Sequence, residues 1–116
     1  VFFRYAAPGR EDPYRKAFKL QLADDHKFQP DPQSTGALHT YEAPTVNASK
    51  PQGEWNTLRL RVRNLNVEIW INEKLVLETV AQNDLVPLDG FVAFDGINGG
   101  IAYRKILIVK LPPAVQ

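Results

Sequence analysis

The 116-residue chain has no cysteine. That excludes disulfides, thiol nucleophiles, thiolate zinc sites and iron–sulfur clusters. Charge of one sign is missing too: 14 basic and 13 acidic side chains leave a formal net charge of +1. No strong field is available to recruit nucleic acid or an anionic membrane. No apolar run approaches the roughly 20 residues that cross a bilayer as a helix. Val1-Phe2-Phe3-Arg4 lacks the basic start and long apolar stretch of a signal peptide, which a mature or excised chain would have lost. With two histidines, His26 and His39, a closed structural zinc site is not expected. Internal repeats and low-complexity tracts are absent.

Apolar residues make up 44% of the chain, enough for one packed domain over residues 1–116. Their period is two. Leu58-Arg59-Leu60-Arg61-Val62-Arg63 sets aliphatics on one face and arginines on the other. Val67, Ile69 and Ile71 then share a core face, with Glu68 and Trp70 opposite, and Leu75 and Leu77 alternate with Lys74, Val76 and Glu78. Asn64-Leu65-Asn66 and Asn72-Glu73 break these runs at meander spacing, without the favoured Asn-Gly pair. Further strands are predicted at Val1–Tyr5, Ala17–Ala23, Gly36–Thr40, Gly90–Asp95 and Ile101–Leu111, and only Val80–Leu85 suits a helical turn. Ala7–Pro13, Asp24–Ser34 and Gly96–Gly100 read as loops, and Pro112–Gln116 as a terminal tail. About eight short strands predict two packed antiparallel sheets. Phe2 and Phe3 point to opposite faces of the first strand and both need cover. We therefore expect Val1–Tyr5 to pair with a strand absent from this chain, supplied by other domains or chains that complete the sandwich.

Four segments in order resemble the 3-keto-disaccharide hydrolase family, a concanavalin A-like jelly roll of the all-β class. Val1-Phe2-Phe3-Arg4 is similar to the family's "SGVFFR" and Phe18–Asp24 to its "YEVQILD". Thr35-Gly36-Ala37-Leu38-His39 followed by Lys50-Pro51-Gln52-Gly53-Glu54-Trp55-Asn56 is similar to "GALY" and then "KPAGEWN", and Ile101–Ile106 to the closing "FRNI". The Lys-Pro-x-Gly-Glu-Trp-Asn string is the most specific of these. Family members run longer at the N-terminus, so the resemblance implies an N-terminally shortened, diverged domain. It also implies a saccharide or 3-keto-saccharide ligand and an extracytoplasmic location. Four positions depart from the pattern: Lys19 replaces a Glu, His39 the "GALY" tyrosine, Glu73 the glycine of an "NG" turn, and Lys105 the "FRNI" asparagine. Lys19 bears most on chemistry, because it places a base where the family has an acid.

Candidate site residues follow from residue type and face. Lys19 and Gln21 share one strand face, and Arg59, Arg61 and Arg63 occupy what we expect to be the matching face of another strand, with Trp70 and Glu68 across the hairpin. Sugars need planar donors and acceptors plus an aromatic platform. This selects Arg4, Gln21, His39, Arg59, Trp70, Asp95 and Arg104 as substrate-binding candidates. The alternative is a solvated strand face, with arginines stacked on Trp70 by cation–π contact. For Arg104 a structural ion pair is expected ahead of a place in the site, and for Asp95 capping of the glycine-rich turn is the alternative. Asp24, Asp25 and His26 form the best acid–base cluster, and the same donors suit Ca²⁺; their alternative is turn chemistry. Trp55 is expected as a packed anchor, with Gly53 permitting its close approach.

Two functions remain. In the first, the chain processes 3-keto-glycosides: the ketone acidifies the C2 proton, Asp24 or His26 abstracts it, and Lys19, Arg4 or Gln21 polarises the ketone. In the second, it is a non-catalytic carbohydrate-binding or interaction module of a larger extracytoplasmic protein. Lys19 favours the second.

Overall fold

The computed structural model describes residues 1–6, 16–83, 86–96 and 100–112. The predicted loop Ala7–Pro13, the centre of the Gly96–Gly100 turn and most of the terminal tail lie outside the described residues, as do the last two positions of the predicted helical turn. In the described part of that turn, Val80 ends a strand and residues 81–83 carry no helix.

Six strands form among the described residues: β1 Phe2–Tyr5, β2 Phe18–Lys19, β3 Leu58–Arg63, β4 Asn66–Ile71, β5 Lys74–Val80 and β6 Phe91–Ala93. They make two antiparallel sheets, ordered β2-β1-β6 and β3-β4-β5. Period-two patterning explains the packing between them. Val1, Phe3, Phe18 and Leu20 from the first sheet, joined by Leu38, meet Val67, Ile69, Ile71, Val76 and Leu77 from the second in one buried core. The chain is thus an all-β sandwich of the jelly-roll type, with almost no helix.

The meander is the most legible part. In β3–β4, Arg59 pairs with Trp70 and Arg61 with Glu68, so the arginines do lie across from those side chains. The β4–β5 turn has both central residues at positive φ, Asn72 at 51° and Glu73 at 68°. This is the backbone a two-residue type I′ hairpin requires, built here with Glu where glycine is favoured. Asn72 compensates: its Oδ1 accepts the Thr57 amide and its Nδ2 donates to the Ala48 carbonyl.

Several expectations are corrected. Leu75 does not share the core face with Leu77. Trp70 pairs with Leu75 while its neighbour Ile69 pairs with Leu77, so β5 holds an extra residue opposite this step. The bulge turns Val76 into the core beside Leu77 and leaves Leu75 exposed. The strand predicted over Gly36–Thr40 reduces to Leu38, which bridges Leu20 and Glu42; the residues around it are turn. Ile101–Leu111 forms no strand. Among the described residues no neighbouring strand supplies a hydrogen-bond ladder, and Leu107 stands 83% exposed. Within this chain β1 is the middle strand of its sheet, paired with β2 and β6, and Phe2 and Phe3 are both buried.

β1 itself carries a bulge. Phe2 pairs with Ala93 and Tyr5 with Phe91, so Phe3 and Arg4 together oppose Val92. Arg4 takes the left-handed conformation, φ 53°, at this step. As a result Phe2 and Tyr5 lie together on the outward side, their ring centroids 6.4 Å apart, while Phe3 packs inward.

Candidate functional site

The outward face of the β2-β1-β6 sheet gathers side chains from four distant parts of the chain. Lys19 lies between the inward residues Phe18 and Leu20, so strand alternation sends it outward. Leu20 bridges Leu38, and the His39 amide donates to the Lys19 carbonyl at 2.8 Å; His39 is therefore set directly across from Lys19 on the same face. On the other side, Phe2 pairs with Lys19 and with Ala93, and Asp95 follows two residues after Ala93. The Lys19 ammonium spans this gap. It lies 3.3 Å from Asp95 Oδ2 and 5.3 Å from the centre of the Phe2 ring. Asp95 Oδ1 also accepts the Val1 amine at 3.1 Å, and Tyr103 donates its hydroxyl to the Asp95 carbonyl at 2.8 Å.

The electrostatics follow from this packing. Burial alone would raise the Asp95 pKa, but hydrogen bonding and charge from the Val1 amine, then from Lys19, outweigh it and hold the carboxyl below its ordinary value. His39 moves down as well: burial disfavours its cation, the Lys19 charge adds to this, and Asp95 only partly opposes them. Near neutral pH, His39 is an uncharged imidazole facing an ammonium–carboxylate pair. Burial and the Asp95 charge raise Tyr103, which keeps its proton. Gln21, on the Lys19 side of its strand, holds Oε1 buried with no hydrogen-bond partner among the described residues.

These shifts predict acid sensitivity with a definite sign. The His39 imidazole is harder to protonate in the folded state than at its ordinary value of 6.5. Its contribution is complete above that pH and is lost as pH falls through the window down to the folded value. Asp95, also lowered, adds a second loss as pH falls below its ordinary 3.8. Melting temperatures measured from pH 8 to pH 3 should decline in these two windows. His39→Gln should flatten the upper one and leave the lower.

The other candidates lie elsewhere. The core separates Lys19 and Gln21 from Arg59, Arg61 and Arg63, so the two sets occupy outward faces of different sheets and not a matching face. Arg59 and Arg61 both stack on Trp70, at 4.7 and 5.3 Å from its ring centre, and Arg61 makes a bidentate pair with Glu68. Arg4 lines a third region, a 410 Å³ cleft shared with Asn64, Gln82 and Leu88. Burial lowers its pKa and the Asp89 charge only partly offsets this. Arg104 makes a cation–π contact with Trp55, 3.8 Å from the ring centre, in place of the ion pair we expected. Trp55 is 46% exposed, and a Cβ on Gly53 would meet nothing within 4 Å. The Gly53 φ of 92°, not a close approach, is what its position requires.

Asp24, Asp25 and His26 do not converge on one point. Asp25 is 7% exposed and accepts both the amide and the hydroxyl of Thr35, each at 2.8 Å. His26 Nδ1 lies 2.7 Å from the Ser49 carbonyl, which fixes that nitrogen as a donor. Asp24 is exposed. Among the described residues no three His, Asp or Glu side chains gather where they could hold one metal ion, and no helix is long and apolar enough to cross a membrane.

Sequence reasoning missed Tyr103 and the supporting role of Phe2. Tyr103 stands inside a family-like segment, Ile101–Ile106, but nothing local marks it as a partner of Asp95. It also packs edge-on against Phe94, 4.8 Å between ring centres.

Two crystal structures of candidate glycosyl hydrolases from Parabacteroides distasonis ATCC 8503 share the fold. One, at 2.00 Å resolution, matches with TM-score 0.58 and 24% identity over 66% of this chain and 41% of that one. The other, at 1.70 Å, matches with TM-score 0.55 and 23% identity over 67% and 40%. The chain thus spans about two fifths of the length of these structures. No curated protein matches it in sequence. The family model for the 3-keto-alpha-glucoside-1,2-lyase-like domain matches residues 1–109, nearly the whole chain, and the chain belongs to that family.

Proposed function

We propose that the face built from Lys19, Gln21, His39 and Asp95 binds 3-keto-glycosides and turns them over slowly. The observation that carries this is the Lys19–Asp95 pair: the strand that presents an acid in the family presents here an ammonium anchored by a carboxylate. Such a group donates to a ketone or hydroxyl oxygen but cannot take a proton while charged. Gln21 Oε1, buried and lacking a partner among the described residues, supplies an acceptor for a sugar hydroxyl. A module that holds oxidised sugars and cleaves them only slowly, within a larger protein, fits this arrangement.

One observation favours a catalytic variant of the same reading. His39, held neutral opposite Lys19, is a competent base. In that variant the Lys19 ammonium stabilises the enolate formed when His39 removes the C2 proton. The electron pair then expels the aglycone oxygen from C1, which leaves with a proton, and water adds to the resulting enone.

The test titrates a 3-keto-glucoside and its unoxidised parent against wild type, Lys19→Ala, Lys19→Glu and His39→Gln, with leaving-group release assayed in parallel. We expect a preference for the keto sugar that falls at least about tenfold in Lys19→Ala, in line with loss of a charge-assisted hydrogen bond. Wild-type release should be slow. Rapid release abolished by His39→Gln selects the catalytic variant; rapid release abolished by Lys19→Glu but retained in His39→Gln makes Lys19 the base. Equal binding of both sugars in all four proteins overturns the assignment of this face.

A further inference from the structure

The opposite side of the sandwich carries a second set of sugar-suited groups that the Lys19 face does not use. The outward face of β3–β4–β5 runs in three cross-strand rows: Arg63 with Asn66 and Val80, Arg61 with Glu68 and Glu78, and Arg59 with Trp70 and Leu75. A cleft of 580 Å³ opens over the first two rows, lined by Arg61, Arg63, Asn66, Glu68, Glu78 and Val80, with Thr79 at its edge.

The three arginines are not equivalent. Arg61 spends its charge on Glu68 through two 2.8 Å hydrogen bonds. Arg59 lies over Trp70. Arg63 has neither: its Nε is buried with no hydrogen-bond partner among the described residues, and no carboxylate lies within ion-pair distance of it there. Arg63 is only partly buried and lines the cleft, so its guanidinium, with no acidic partner among the described residues, leaves a positive charge there that a ligand oxyanion would offset. Next to it, Asn66 offers a donor and an acceptor, and exposed Glu78 offers acceptors for vicinal hydroxyls. A cation for one acidic group, set beside acceptors for several hydroxyls, describes a sugar bearing one anionic substituent.

We propose that the outward face of β3–β4–β5 is a second saccharide-binding surface, selective for sugars that carry a carboxylate or sulfate, with Arg63 as the group that binds the anion. It goes beyond the 3-keto-glycoside reading, because it uses none of that face's residues and the sandwich core lies between them.

The test follows the Arg63 side-chain Nε–H and the Asn66 amide by NMR in the full chain. Three sugars are added in turn: a glucuronate-containing disaccharide, a sulfated disaccharide and the neutral parent of both, with inorganic sulfate as a simple probe. We expect both resonances to move with at least one acidic sugar, at an affinity at least about fivefold above the neutral parent. Arg63→Gln should abolish that preference, and Lys19→Ala should leave it intact. Should Arg63→Gln fold poorly, Arg63→Lys retains the charge but loses the planar fork, and weakened yet still acid-selective binding is expected. A response to glucuronate alone or to sulfated sugar alone identifies the anion. Equal response to neutral and acidic sugars, a response confined to inorganic sulfate, shifts that map elsewhere, or a preference that survives in Arg63→Gln overturns the proposal. The keto-sugar preference and its Lys19→Ala loss are read in a separate titration, so either reading can fail without the other.

Discussion

Gly90→Ala should destabilise the protein by about 3 kcal/mol, at the upper end of what overpacking costs. Gly90 leads into β6 and passes directly over the β1 bulge. A Cβ built on it would lie 2.7 Å from the Arg4 carbonyl carbon, 2.9 Å from the Arg4 Cα and 2.9 Å from the Tyr5 nitrogen. All three are backbone atoms, so no rotamer change relieves the clash. Either β6 must shift away from β1 or the bulge must open, and both disturb the strand that carries Asp95 toward Lys19. Gly53→Ala is the control. Gly53 sits at φ 92° with open space around it, so alanine there meets only the left-handed backbone penalty, about 1 kcal/mol. Denaturant unfolding of the two variants should separate them clearly, and Gly90→Ala should lose roughly 10 °C in melting temperature. Equal effects for the two substitutions would show that the contact with Arg4 is not what selects glycine at position 90.

Asp25→Ala should cost a comparable amount, about 3 kcal/mol. Asp25 is the buried staple of the loop that returns the chain from β2 to Leu38. Its carboxylate holds the Thr35 amide and hydroxyl, Thr35 in turn bonds both backbone groups of Ala23, and Asn47 Nδ2 reaches the Asp25 carbonyl. Removing the carboxylate strands the buried Thr35 amide, while the hydroxyl keeps the Ala23 carbonyl as its acceptor, and hydrogen bonds to charged groups contribute about 1.5–3 kcal/mol each before that penalty is counted. Hydrogen exchange should accelerate first at Thr35 and its neighbours, because their protection depends on this loop staying closed. Asp25→Asn retains one acceptor and should recover part of the loss. A variant that stays folded, keeps Thr35 protected and instead loses 3-keto-glycoside binding would return Asp25 to a direct role in the site.

Asp25 also illustrates how far the chain can be read without its structure. Two carboxylates beside an imidazole carry the same local signature whether they do acid–base work or close a loop. Only the position of Thr35, ten residues on and folded back against it, decides for the loop at Asp25. Trp55 is a similar case. A tryptophan two residues after a glycine is compatible with a packed anchor, yet here it lies at the surface, 46% exposed, against Arg104.

Local alternation determined a great deal. Period two is a property of neighbouring residues, so the three meander strands, their hairpin turns, the inward set Val67, Ile69 and Ile71, and the pairing of arginines with Trp70 and Glu68 all follow from the residues themselves. The motif string extended this to the fold class and family. Alternation is blind to an inserted residue, however, which is why the bulge at Leu75–Val76 escaped it. It is equally blind to which strands become neighbours. The same outward-facing pattern at Lys19 and at Arg59 is compatible with one shared face or two separate ones, and only the pairing of β2 with β1, and of β3 with β4, put the core between them. The Lys19–Asp95 pair, the neutral His39 opposite it and the Tyr103 contact are all long-range, set by sheet order and not by any local preference. Residue chemistry along the chain thus supplied the parts of the site, and tertiary pairing decided which of them meet.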